Sequence, residues 1–170
     1  KTEGVSFRHA VEILSEGKAA TLLSSDKIIS QSTTRKLACP LTLDADDQNL
    51  LNQVTAYYHE TLKQSPKALE YLRQRGIDNT EALSTFKLGY ADRTLGLRLP
   101  EKNREAGATI RDRLQKLGVY RASGHEHLSG SLIIPILDAH GNVLNLYGRK
   151  ILDNLRPGTA YHLYLPGPHY

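Results

Sequence analysis

Apolar residues recur at helical spacing over much of the region 46–118. The strongest pattern begins at Asp46, where acidic residues occupy the first turn of a predicted helix. Its apolar face consists of Leu50, Leu51, Val54, Tyr58 and Leu62. Ser65 and Pro66 then predict the N-cap and first turn of a second helix, which ends at Gly76.

Two further helices and one extended segment are predicted before residue 119. Residues 79–86 form a short helix in this prediction, and residues 87–91 a brief extended segment. A fourth helix is predicted over 103–118, because one apolar face recurs there and a glycine ends it. That face consists of Ala106, Ile110, Leu114 and Leu117.

The pattern becomes β-like after residue 130. Residues 131–136 are apolar and β-branched, residues 143–147 alternate, and DAHGN between them is typical of a turn. A third extended segment is expected over 160–167. Helices followed by strands predict an α+β fold in which helices pack on a small, mainly antiparallel sheet.

The first 45 residues are less regular. A short helix is predicted over 5–17, capped by Ser6 and ended by Gly17, with Phe7, Ala10, Val11 and Leu14 on its apolar face. Residues 18–45 are rich in Ser, Thr, Lys and Asp, a composition typical of a linker. We therefore expect an N-terminal module over 1–17, a linker over 18–45 and a main domain over 46–170.

Composition narrows the functional classes only slightly. The 170 residues carry a formal net charge of +4, which is compatible with a polyanionic partner without requiring one. Cys39 is the single cysteine, so a disulfide within the chain and a cysteine zinc site are both excluded. A lone thiol indicates a reducing, cytoplasmic setting. No apolar run approaches the roughly 20 residues of a membrane span, so no membrane partner is expected.

Metal and nucleophile chemistry find little support in the sequence. His125 and His127 are spaced to share a metal ion with Asp138 or His140, but their polar, Gly-rich surroundings favour exposed side chains. Three acids before the first long helix, Asp44, Asp46 and Asp47, are better explained as solvated residues that open it. No nucleophile elbow or phosphate-binding glycine loop is present, so we expect no complete active site and no cofactor in this stretch.

Cationic side chains are the better candidates. Arg149 and Lys150 end an apolar strand directly after Gly148, which permits a bulge or close backbone approach. A guanidinium held there by a rigid sheet can bind a phosphate through two hydrogen bonds. The fourth predicted helix carries another set, which either follows a phosphate backbone or forms an ordinary solvated face. This set is Arg104, Arg111, Arg113 and Lys116.

Aromatic residues near the C-terminal end add a second feature. Tyr161, His162 and Tyr164 either provide stacking surface for unpaired bases or simply pack the third extended segment.

Several segments, taken in order and spacing, resemble the N-terminal part of the catalytic core of bacterial DnaG-type DNA primases. They are Tyr58-His59, YLRQRG (71–76), FKLGYA (86–91), LIIPI (132–136), VLNLYGRKIL (143–152) and HLYLP (162–166). The opening VSFRHAVEIL also looks like the end of that family's zinc-ribbon module. The ending HLYLPGPH is closer to the primase-like proteins of plasmids, phages and integrated elements.

The resemblance implies a protein that synthesises RNA primers in the bacterial cytoplasm. Its zinc ribbon would hold Zn²⁺, and a TOPRIM domain after residue 170 would hold Mg²⁺ for nucleotidyl transfer. The part of the core that this chain resembles would bind single-stranded DNA template and the RNA–DNA hybrid, with a replicative helicase as a further partner. Arg149 matches the arginine of the family's GGR motif and is assigned to the template backbone, with Lys150 beside it.

The chain also departs from the family pattern. Ser131 and Tyr161 stand where the family carries an arginine and a lysine, and Tyr147 replaces a glycine. A protonated His162 is one candidate substitute for a missing cation. Two alternatives therefore stay open: a non-catalytic module that binds DNA or proteins of a mobile element, and a nuclease or topoisomerase-like TOPRIM protein.

Overall fold

The computed structural model describes residues 11, 37–152 and 154–167. The chain divides into two units, Lys1–Ala38 and Cys39–Tyr170, and the sheet with its packed helices belongs to the second. The helix predicted over 5–17 lies outside the described residues except for Val11, which is helical. Most of the predicted linker lies outside them as well.

The described part of the second unit contains five helices and four strands. The helices are α1 (Asp47–Lys63), α2 (Pro66–Arg73), α3 (Thr80–Thr85), α4 (Leu95–Arg98) and α5 (Glu105–Lys116). The strands are β1 (Gly89–Ala91), β2 (Ser131–Leu137), β3 (Val143–Lys150) and β4 (His162–Tyr164). Within these residues no helix is both long and apolar enough to cross a membrane.

Side-chain caps explain where the first three helices begin. The Asp46 carboxylate accepts a hydrogen bond from the Asn49 amide at 2.7 Å, and the Ser65 hydroxyl accepts one from the Ala68 amide at 3.3 Å. Asn79 caps α3 in the same way. These three helices confirm the prediction, whereas the single turn of α4 was not predicted because it lacks a capping hydrogen bond and a repeated apolar face.

The buried face of α5 differs from the predicted one. Ile110 and Leu114 are buried as expected, but Ala106 is exposed and Gly107 is buried in its place. A Cβ atom at Gly107 would lie 1.9 Å from the Glu101 carbonyl oxygen. The helix therefore turns its glycine toward the preceding loop, because only a residue without a side chain fits there.

The four strands form one antiparallel sheet in the order β1-β2-β3-β4. This arrangement confirms the predicted α+β class. Strand β3 runs on past Tyr147 to Lys150, so both cations at its end belong to the sheet.

Side chains are buried on both faces of the sheet. On the inner face, Ile133 and Leu146 pack against α1 and α5 in the larger core cluster, which also includes Leu41 from the predicted linker. On the outer face, Leu132 packs against Ala68 and Leu72 of α2 in a smaller cluster. The neighbouring outer-face residues Ile134 and Ile136 are 37% and 40% exposed, so α2 covers only part of that face.

Candidate nucleic-acid interface

Strand alternation separates the two cations that end β3. Successive side chains of a strand point to opposite faces of its sheet. Arg149 pairs in register with Leu132 and His162, whereas Lys150 pairs with Ser131. Arg149 therefore lies on the outer face and Lys150 on the inner side, so the two residues belong to different sites.

Arg149 lies among aromatic side chains on the outer face. We call this surface the aromatic face, and it consists of Tyr71, Tyr147, Arg149, Tyr161, His162 and Tyr164. The Arg149 Nε atom donates to the Tyr71 hydroxyl at 3.2 Å, and its guanidinium carbon lies 5.7 Å from the centre of the Tyr161 ring. The hydrogen bond to Tyr71 raises the pKa of Arg149, so the guanidinium stays charged.

Tyr147 of β3 contacts two rings of β4, stacking on His162 and meeting Tyr164 at a tilt. The rings of Tyr147 and His162 lie 5.9 Å apart at an interplanar angle of 29°, and Tyr147 and Tyr164 lie 5.2 Å apart at 50°. Tyr161 and Tyr164 keep 42% and 47% of their surface exposed. These rings can stack on further flat groups, as single-strand-binding proteins stack on bases.

Both ring nitrogens of His162 contact polar groups of β3. Arg149 donates from Nη1 to His162 Nε2, and the Tyr147 hydroxyl contacts His162 Nδ1. His162 therefore orients Arg149 on the aromatic face, and the expectation that a protonated His162 replaces a missing cation stays a prediction.

Lys150 lies in a separate cavity of about 880 Å³, which we call the basic pocket. It lies between α4, the 120–129 loop and the loop before β4. Its polar and charged lining is made of Arg93, Arg111, Tyr120, Arg121, His125, Glu126, His127, Ser129, Lys150, Arg156 and Thr159. Burial, followed by the charges of Arg93 and Arg121, lowers the pKa of Lys150.

The two arginines predicted to bind nucleic acid from the fourth helix, Arg104 and Arg111, do not belong to the aromatic face. Arg111 lines the basic pocket but donates to three backbone carbonyls, those of Pro100 at 2.6 Å, Gly107 at 2.8 Å and Gly96 at 3.3 Å. Its guanidinium therefore holds α4, α5 and their connection together. Arg104 has 74% of its side chain exposed and pairs with Glu101 at 3.5 Å, away from both sites. The six predicted site residues therefore divide between two places, with Arg104 in neither.

Sequence reasoning missed Tyr71 and Tyr147 on the aromatic face and Arg93, Arg121 and Arg156 in the basic pocket. Tyr147 was detectable, because a residue two positions before Arg149 on a strand shares its face. The three arginines are far apart in sequence and lie in loops or turns, where no periodicity indicates a shared site.

The described residues do not fit a metal ion. In residues 37–152 and 154–167, no three His, Cys, Asp or Glu side chains converge. Asp138 shapes the β2–β3 turn instead, by accepting from the amides of His140 and Asn142 at 2.8 Å each. Asp47 pairs with Arg113 at 2.8 Å, and His127 Nε2 contacts the Tyr164 carbonyl at 2.9 Å. Catalytic steps through Mg²⁺ or Zn²⁺ therefore cannot be assigned to these residues.

The chain is similar in sequence to known DNA primases. Residues 57–161 match the family described as the DNA primase catalytic core, N-terminal domain. The DNA primase of Aquifex aeolicus (strain VF5) is 33% identical over 111 residues, covering 63% of this chain and 21% of that protein. The DNA primase of Helicobacter pylori (strain J99) is 28% identical over 113 residues, covering 64% of this chain and 19% of that protein. The chain thus spans about a fifth of the length of these relatives.

Solved structures show the same fold. A DnaG primase catalytic domain bound to single-stranded DNA superposes with a TM-score of 0.55 at 24% identity, covering 72% of this chain and 39% of that one. The zinc-binding and RNA polymerase domains of the Aquifex aeolicus primase give a TM-score of 0.56 at 24% identity, covering 75% and 30%. The RNA polymerase domain of the Mycobacterium tuberculosis primase gives 0.56 at 22%, covering 71% and 40%.

Proposed function

Because the chain belongs to the family of the DNA primase catalytic core, N-terminal domain, we propose that it binds single-stranded template DNA for a primer-synthesising primase. The aromatic face would hold the strand. Nucleotidyl transfer, its Mg²⁺ and the zinc ribbon belong to sequence outside the described residues in this proposal. We also propose that the chain comes from a primase-like protein of a mobile element, because the segment HLYLPGPH resembles those proteins.

The state of Arg149 is the observation that carries the proposal. Among the described residues its guanidinium contacts Tyr71, Tyr161 and His162 and makes no ion pair with a carboxylate. An arginine has five N–H donors, and the contacts to Tyr71 and His162 use two. The remaining donors and the full positive charge are available to a phosphate, which arginine binds through paired hydrogen bonds.

The aromatic rings supply the second half of the interaction. Base stacking on an aromatic side chain contributes about 1–3 kcal/mol per base and tolerates any sequence. Tyr161, directly before the short strand β4, and Tyr164, at its end, are exposed next to Arg149 and Tyr147 respectively. A strand that crosses this face can therefore place a phosphate on Arg149 and bases on the flanking rings.

Exchange of Arg149 for glutamine tests this function. Arg149→Gln should weaken the binding of a 5′-hydroxyl, mixed-sequence single-stranded DNA by about tenfold at low salt, because one phosphate contact is lost. The slope of log affinity against log salt should fall by about 0.7. Fluorescence anisotropy over a salt series measures both quantities.

Arg104→Gln is the matched control, because it removes the same charge from an exposed arginine outside the aromatic face. We expect it to change the affinity by less than about twofold, as for a rim charge. Equal losses in the two variants would indicate binding by net charge alone, and the aromatic face would no longer explain template binding.

A second candidate function is suggested by the apolar residues beside the aromatic face. Ile134 pairs in register with Tyr147, and both Ile134 and Ile136 are substantially exposed. Such a surface also suits a protein partner, for example a replicative helicase, in a module that has lost its DNA contact. Under this function the wild-type chain would not bind single-stranded DNA even at low salt.

A further inference from the structure

The basic pocket lies on the side of β3 opposite the aromatic face and has no role in the proposed function. Three segments distant in sequence bring its cations together: Arg93 before α4, Arg121 in the loop before β2, and Lys150 at the end of β3. Arg156, in the loop before β4, also lines the cavity. Its volume of about 880 Å³ falls within the usual range for small-molecule sites, about 300–1,000 Å³.

The cations of the pocket are held by neutral partners. Arg93 Nε donates to the Ser129 hydroxyl at 2.8 Å, and Lys150 Nζ donates to the Ser129 carbonyl. Arg121 donates to the His127 carbonyl at 3.2 Å and to its ring Nδ1 at 3.3 Å. Within the described part of the chain, none of these three side chains pairs with a carboxylate. Glu126 is the one carboxylate among the described residues of the lining and accepts a hydrogen bond from the Tyr58 hydroxyl at 3.1 Å, so the cations of the pocket outnumber its acid.

The charges are close enough to repel one another. Lys150 and Arg93 converge on the two oxygen atoms of Ser129, and the lowered pKa of Lys150 reflects burial together with Arg93 and Arg121. Like charges at such distances destabilise each other in the absence of a counter-charge. A bound anion would relieve this repulsion.

A buried hydroxyl also lines the cavity. Tyr120 is 6% exposed, and its oxygen atom makes no hydrogen bond within the described residues. Burial, followed by the charge of Glu126, raises the pKa of Tyr120, so the hydroxyl stays protonated and can donate. Buried hydroxyls without a partner are uncommon, and a ligand oxygen is one way to satisfy this one.

We infer that the basic pocket is a phosphate-binding site that receives the phosphate groups of a nucleotide or of a strand's 5′ end through Arg93, Arg121, Lys150 and Tyr120. Guanidinium, ammonium and hydroxyl donors that line one cavity match the many acceptor oxygens of linked phosphates. The site is independent of the aromatic face, because it lies on the other side of the sheet. Each of the two sites can therefore fail its own test without affecting the other.

Isothermal titration calorimetry with inorganic tripolyphosphate, without divalent metal, tests the pocket directly. The wild-type chain should bind, and Lys150→Gln and Arg93→Asn should each weaken binding by about tenfold through loss of a charged hydrogen-bond donor. Asparagine suits position 93, because Arg93 has a φ of +75° that few other residues adopt easily. Tyr120→Phe, which removes only the hydroxyl, should weaken binding by about fivefold.

Controls separate this site from the aromatic face. Arg149→Gln should leave tripolyphosphate binding within about twofold, and Arg121→Gln serves as a further variant if Lys150→Gln is unstable. No tripolyphosphate binding at millimolar concentration would overturn the inference, as would an equal loss in Arg149→Gln. Tighter binding of ATP than of tripolyphosphate would assign a nucleotide; tighter binding of a 5′-phosphorylated than of a 5′-hydroxyl oligonucleotide would assign a strand end.

Discussion

Gly107→Ala is expected to lower the free energy of unfolding by about 3 kcal/mol, although alanine favours helices more than glycine does. The added Cβ atom would lie 1.9 Å from the Glu101 carbonyl oxygen and 2.8 Å from that of Pro100, both backbone atoms that cannot rotate away. Helix α5 and the preceding loop would have to separate. Arg111, which donates to the Pro100 and Gly107 carbonyls, would lose its position at the same time.

Urea unfolding followed by circular dichroism measures this change. Ala106→Gly is the matched control, because residue 106 is exposed on the same helix and the exchange runs in the opposite direction. Ala106→Gly should lower the free energy of unfolding by about 1 kcal/mol, because glycine has a lower helix propensity than alanine. A Gly107→Ala chain that is more stable than wild type would show that α5 does not pack closely on the 100–104 loop.

Tyr58→Ala should lower the free energy of unfolding by about 3–5 kcal/mol, the usual range for removing a large buried ring. Tyr58 is 1% exposed, and its backbone lies so close to β1 that a Cβ atom at Gly89 would lie 2.8 Å from Tyr58 Cβ. The side chain belongs to the larger core cluster, together with Ile133 and Leu146 of the sheet. The variant should unfold at a much lower urea concentration than wild type.

Tyr58→Phe separates the hydroxyl from the ring. The Tyr58 hydroxyl donates to the buried Glu126 carboxylate at 3.1 Å, so its loss should cost about 1–3 kcal/mol. Burial, followed by the charge of Glu126, raises the pKa of Tyr58, which keeps the hydroxyl protonated. If phenylalanine cost as much as alanine, the hydrogen bond and not ring packing would hold α1 on the sheet.

The elements of this fold were largely predictable, because their signals are local. Asp46, Ser65 and Asn79 each provide a capping side chain directly before an apolar helical pattern. The β2–β3 hairpin was predictable for the same reason, because the turn sequence DAHGN separates two apolar runs. Gly107 escaped prediction because its burial depends on a loop that approaches from outside the helix.

The candidate sites were less predictable. Arg149 and Lys150 are adjacent in sequence and were expected to act together, yet the alternation of β3 places them on opposite sides of the sheet. Strand periodicity predicts that separation once β3 is known to extend to Lys150. The approach of Arg93 and Arg121 to Lys150 could not be predicted from the sequence, because it depends on how the loops pack.

The most direct test of the account is a map of where single-stranded DNA contacts the chain. Amide chemical shifts recorded by ¹H–¹⁵N NMR, during titration with a 5′-hydroxyl oligonucleotide, distinguish the strands of the aromatic face from the loops of the basic pocket. We predict large shifts at Tyr147, Arg149, His162 and Tyr164, and small ones at Arg93 and Arg121. Shifts confined to the basic pocket, with the aromatic face unchanged, would contradict the assignment of template binding to the outer face.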